Sequence, residues 1–152
     1  MRLPVILLAA CAGSGEPSYG DPLDDPQLPP RGFADLADWL AAGHYQAWHC
    51  EAAAHPPRPG SGHGPNRICS NDALATAPDD VTPFPAGAVA VKEIFDRDGR
   101  LVVHAVYRKL ETGRWYWYEG DGDDVAANGE DEPTCTGCHA GAPRDFVFTV
   151  VR

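Results

Sequence analysis

From residue 33 onward the chain shows two kinds of order, and the period changes partway along. Apolar side chains at Phe33, Leu36, Leu40, Ala47 and Trp48 recur at helical spacing. The stretch 33–54 therefore predicts a helix, with Gly43 a candidate break into two pieces. HPPRPGSGHGPN, 55–66, cannot continue it, because proline lacks the amide hydrogen a helix needs. RICSNDALATA is ambiguous, with room for one helical turn, and 78–87 is an irregular approach. From residue 88 the period is two. AVAVKEIFD (88–96) is β-branched and alternating, an Asp-Gly turn follows, and LVVHAVYRK (101–109) returns. A Thr-Gly turn then leads into the aromatic strand RWYWYE, 114–119. These three strands form an antiparallel meander. Residues 120–134 carry six acids and read as a loop, and DFVFTVV (145–151) alternates as a final strand. The fold class is α+β: an antiparallel β-sheet meander packed against N-terminal helices.

The N-terminus adds an address. Met1-Arg2 and an apolar run from Leu3 to Ala10 form a short export signal, too short to span a bilayer. Leu8-Ala9-Ala10-Cys11 resembles a bacterial lipobox, in which Cys11 is lipidated; the alternative is an ordinary signal with an incidental cysteine. Residues 12–32, rich in Gly, Pro, Ser and Asp, read as a tether. The organisation is thus a signal at 1–10, a lipidated Cys11 and tether at 11–32, and one domain at 33–152. The chain would sit on the periplasmic side of a bacterial envelope, held to the membrane through the lipid anchor only. A formal net charge of −10 argues against nucleic acid as a partner. A homodimer is left open.

Cysteine arithmetic follows from export. Of five cysteines, Cys11 takes the lipid and Cys135 and Cys138 form a close pair. Cys50 and Cys69 then read as a disulfide, the alternative being two free thiols. Cys135-Thr136-Gly137-Cys138-His139 is the attachment pattern of c-type haem. Two thiols at i and i+3 suit two porphyrin vinyl groups, and the adjacent imidazole suits an axial position on iron. A Cys135–Cys138 disulfide, a redox-active thiol pair and half a zinc site are the competing readings. Zinc needs two further close ligands, and a thioredoxin-like pair wants a strand–helix context. The only methionine is Met1, which excludes a His/Met electron carrier. The second axial position falls to His44, His49, His55, His63 or His104, or stays open for small-molecule chemistry.

The order HGPNRICSND, FPAGAVAVKEIFD, VYRK, WYWYEG and CTGCHAGAPRDFVFT resembles the cytochrome P-460 and cytochrome c′-beta family over residues 63–149. The resemblance implies an exported protein with one covalent haem c, a histidine on one side of the ring and a pocket on the other. It implies hydroxylamine or nitric oxide oxidoreduction with electrons passed to a redox partner cytochrome, or non-catalytic gas binding. Lys92 resembles the lysine that makes an extra haem link in the P-460 enzymes. Glu119 falls where a distal carboxylate is expected, and Arg67 falls where a propionate or the distal pocket is within reach. Alternation turns Glu119 to the face of Trp115 and Trp117, and Lys92 to that of Ala88, Ala90 and Ile94. The bland alternatives are a strand-edge lysine, a solvated acid opening the acidic loop, and a surface arginine. Phe84, Phe95 and Phe146 are candidates for an apolar distal wall under the gas-binding reading.

Overall fold

A computed structural model describes residues 28–122 and 124–152. The export signal, Cys11 and the tether up to residue 27 lie outside the described residues. The core element is a six-stranded antiparallel sheet whose strands run in chain order, β1 to β6. They are β1 (His49–Cys50), β2 (Asn66–Ser70), β3 (Val89–Phe95), β4 (Leu101–Lys109), β5 (Trp115–Gly120) and β6 (Val125–Glu130). Among the described residues three α-helices accompany them: α1 (Phe33–Ala41), α2 (Asp72–Ala75) and α3 (Pro133–His139). No helix among the described residues is long and apolar enough to cross a membrane.

The meander at 88–119 forms as expected, because alternating apolar residues and two glycine turns leave it little choice. The helix expected over 33–54 is shorter. It stops at Gly43, whose φ of 72° is left-handed, and one 3-10 turn at His44–Ala47 follows. His49 and Cys50 are then extended and pair with Ser70 and Cys69. Cys50 and Cys69 are bridged, as the cysteine count predicts. The acidic stretch contains a sixth strand, since β6 pairs with β5 from Tyr116↔Glu130 to Gly120↔Val125. Residues 145–151 do not form a strand. Asp145 (φ 41°) and Phe146 (φ 67°) turn the chain back on itself, leaving one isolated bridge, Arg144↔Val147. The last residues of the tether stretch join the fold. Pro29 is fully buried and its carbonyl accepts from Arg108 Nη1 at 2.7 Å.

Strict alternation gives the sheet two faces with different tasks. One carries Cys69, Val89, Val91, Val106, Tyr116 and Tyr118 beneath Leu36, Trp39 and Leu40 of α1. Buried polar groups on this side are paired: Glu93 accepts from Tyr45 Oη at 2.7 Å and lies 2.9 Å from Arg67 Nε. The other face carries Ile68, Ala90, Tyr107, Trp115 and Trp117 beneath α2, Phe84 and Val147. That face is only partly covered, and a cavity occupies the remainder.

The Cys50–Cys69 bridge closes a separation of 19 residues. Its removal by Cys50→Ser/Cys69→Ser should lower stability by about 3 kcal/mol. Urea unfolding with and without reductant measures this, and equal midpoints for wild type and variant under oxidising conditions would disprove it.

Candidate functional site

The register places one row of side chains across the second face. Ile68 pairs with Lys92, Lys92 with Ala105, and Ala105 with Glu119. Lys92 and Glu119 therefore point the same way with one strand between them, about 10 Å apart at the backbone. A cavity of about 260 Å³ opens above this row. Its lining includes Lys92, Glu119, Trp117, Cys135, Cys138 and His139. The sheet row and the CTGCH segment, separate in sequence, thus share one space.

The CTGCH segment forms α3, with Pro133 in its first turn, where the missing amide hydrogen costs nothing. Cys135 and Cys138 are one helical turn apart and both thiols are free. Burial, reinforced by Glu119 and Glu132, pushes the Cys135 thiol up to about 12. A reactive redox thiol requires the opposite shift, so a thioredoxin-like role loses support. Among the described residues no group of three or more His, Cys, Asp or Glu side chains is placed to hold a bare metal ion.

His139 is held from several sides in the cavity. Its Nδ1 lies 2.7 Å from the Phe146 carbonyl. A carbonyl only accepts, so Nδ1 carries the proton and Nε2 keeps its lone pair. The ring stands 4.7 Å from Trp117 and 5.4 Å from Phe148, edge-on to both. Burial lowers its pKa, helped by Lys92 and His63, although the Phe146 carbonyl acts the other way. A neutral imidazole with one nitrogen engaged and the other available is the form in which histidine binds a metal.

Glu119 is met by His63, whose Nδ1 is 3.7 Å from Oε2. That is long for a hydrogen bond and short enough for electrostatic attraction. The His63 imidazole holds the Glu119 carboxyl below the usual carboxylate range against the opposing effect of burial, with Lys92 assisting. Gly64 lets this loop close over the sheet: a Cβ there would lie 3.2 Å from the Phe95 carbonyl oxygen. Lys92 is itself lowered from the normal lysine value, first by burial and then by Arg58.

Of the residues singled out from sequence, Lys92, Glu119, Cys135, Cys138 and His139 come together here. Arg67 does not. It sits one residue out of phase with Ile68, so it points to the α1 face and pairs with Glu93 at 2.9 Å. His104 shares that face, its Nε2 3.1 Å from Tyr45 Oη. His44 packs against Trp39 and His49 against Asp72 at 2.8 Å. His55 and His63 remain at the cavity. Phe84 is core and Phe146 packs on Trp117, 6.5 Å between ring centres. Arg58 was not legible as a site residue. Its guanidinium stacks 3.6 Å over Phe148 at the cavity edge, and nothing in a Pro/Gly loop signals that placement. No family model matches the chain, and no curated protein matches it in sequence.

Because Glu119 is depressed in the folded state, its ionised form stabilises the fold above the unfolded carboxyl pKa. That contribution is lost as pH falls through the lower folded value. Replacing His63 by Ala should return the Glu119 pKa toward its usual value in a 13C-carboxyl titration. It should also flatten the acid limb of stability against pH. An unchanged Glu119 titration would show that His63 does not set it.

Proposed function

We propose that this is an exported, lipid-anchored cytochrome that holds one haem c through Cys135, Cys138 and His139. Its reaction is redox chemistry on a small nitrogen species, hydroxylamine or nitric oxide, at an open face of the ring. The convergence of the CTGCH helix, Lys92 and Glu119 on one cavity carries this reading. The residues suit such a group. Cys135 and Cys138 lie on one face of a helix, so each thiol can add across one vinyl: sulfur bonds one carbon and the proton goes to the next. His139 would hold the iron through Nε2, kept in that tautomer by the Phe146 carbonyl. Ile68, Trp117 and Phe148 supply apolar lining. Arg58 and Lys92 outnumber Glu119 among the charged lining residues of an otherwise acidic protein, which suits a ring bearing two propionates.

Bound haem supplies an iron centre that exchanges electrons with a substrate nitrogen and with a partner cytochrome. Glu119 is ionised at neutral pH and accepts a proton leaving that nitrogen. His63 holds the carboxylate from the loop side. Lys92, half-buried with a lowered pKa, keeps a larger neutral-amine fraction than a surface lysine. An additional haem link there would replace one amine N–H and one porphyrin C–H by an N–C bond, with two electrons passing to an external oxidant. A second reading, non-catalytic binding of nitric oxide, is favoured by the apolar Trp117 and Phe148 bordering the same space.

The protein matured in a host able to attach haem c should stay red after acid–acetone extraction, and Cys135→Ala/Cys138→Ala should lose that colour. A colourless wild-type product with Cys135 joined to Cys138 would overturn the reading. Glu119→Gln should slow hydroxylamine oxidation about 10²-fold or more at unchanged haem content. Wild-type protein that binds nitric oxide but does not turn over hydroxylamine selects the second reading.

A further inference from the structure

The carboxylate of Asp145 collects donors from three separate parts of the chain. The backbone N–H of Phe84 donates to Oδ2 at 2.8 Å, and Trp115 Nε1 donates to Oδ1 at 3.3 Å. Lys109 Nζ lies 2.9 Å from Oδ1 and 2.8 Å from Oδ2. The Lys109 and Asp145 side chains are only 3% and 9% exposed. An ion pair this deep is poorly explained as a stabiliser, because desolvating both charges offsets most of their attraction. Fixing a geometry is the better account.

The geometry in question is unusual. Asp145 and Phe146 both have positive φ, 41° and 67°, and neither is glycine. Such backbone persists only where its surroundings over-determine it, and it gathers at functional sites. Val147 N–H donates to the Arg144 carbonyl at 2.7 Å and closes the turn. The reversed turn delivers the Phe146 carbonyl to His139 Nδ1 at 2.7 Å.

We infer that Asp145 is a positioning residue for His139. It pins the reversed turn to Lys109, Trp115 and Phe84, so that the Phe146 carbonyl stays on Nδ1 and Nε2 stays presented to the cavity. The inference rests on the haem reading only for what Nε2 binds. The competing account is that Asp145 merely fastens the C-terminal segment to the sheet, in which case the tautomer of His139 is indifferent to it.

The test uses the purified full-length chain. The Nδ1 hydrogen bond of His139 is read by 15N NMR, and in haem-loaded protein the iron–imidazole stretch and reduction potential are read as well. Asp145→Ala should mix the two tautomers, lower the stretching frequency and raise the potential, since a lost hydrogen bond makes the ligand less basic. Asp145→Asn keeps an acceptor but not the charge, and it should fall between Ala and wild type. Glu93→Gln removes a buried charge on the opposite face and should lower stability while leaving every His139 readout at its wild-type value. Wild-type readouts in Asp145→Asn and Asp145→Ala would overturn the inference, as would equal shifts in Glu93→Gln. If Asp145→Ala does not fold, Asp145→Asn decides. A colourless wild type defeats the haem reading alone, because the 15N measurement still judges Asp145.

Discussion

A side chain on a β-strand has two directions available, and in this sheet each direction leads somewhere different. One side is closed by α1 into a packed core; the other is left open beside α3. The placement of every strand residue in the site follows from that parity. Lys92 and Glu119 share the open side because they stand in register across β4. Arg67, Glu93 and His104 are on the closed side and are occupied with one another and with Tyr45. A slip of one residue in either register would exchange the two sets.

The strands at 88–119 were legible because their alternation and their turns agree with each other. The same patterning gave the direction of Glu119, since its strand carries Trp115 and Trp117. Arg67 could not be placed in the same way. RICS is too short and too mixed to announce a strand, so its parity was open until pairing with β3 fixed it. β6 was hidden for a different reason: VAANGE has little β-branched character and pairs because it follows β5 around a turn at the sheet edge. DFVFTVV failed in the opposite sense. Its alternation is real, but Asp145 and Phe146 are held in a reversed turn by contacts distant in sequence, and local pattern carries no trace of those.

The candidate chemistry divides along the same line. Cys135, Cys138 and His139 are contiguous, so their spacing could be read directly. The groups that give them a setting come from elsewhere. Arg58 arrives on a loop, and the Phe146 carbonyl is a backbone atom with no sequence signature. Electrostatics show a similar concentration. The molecule is strongly acidic as a whole, yet the charged residues around the cavity are mostly cationic. An anionic group there would meet a local field opposite to the protein's average.

The disulfide has a consequence for how the sulfur atoms are sorted. Cys50 and Cys69 join on the closed side of the sheet, while Cys135 packs toward the open one. Exchange between a thiol and a disulfide requires the attacking sulfur to touch the bond. The six strands stand between them like a partition, so among the described residues the bridged sulfurs and the Cys135 and Cys138 thiols occupy separate compartments of a single small molecule.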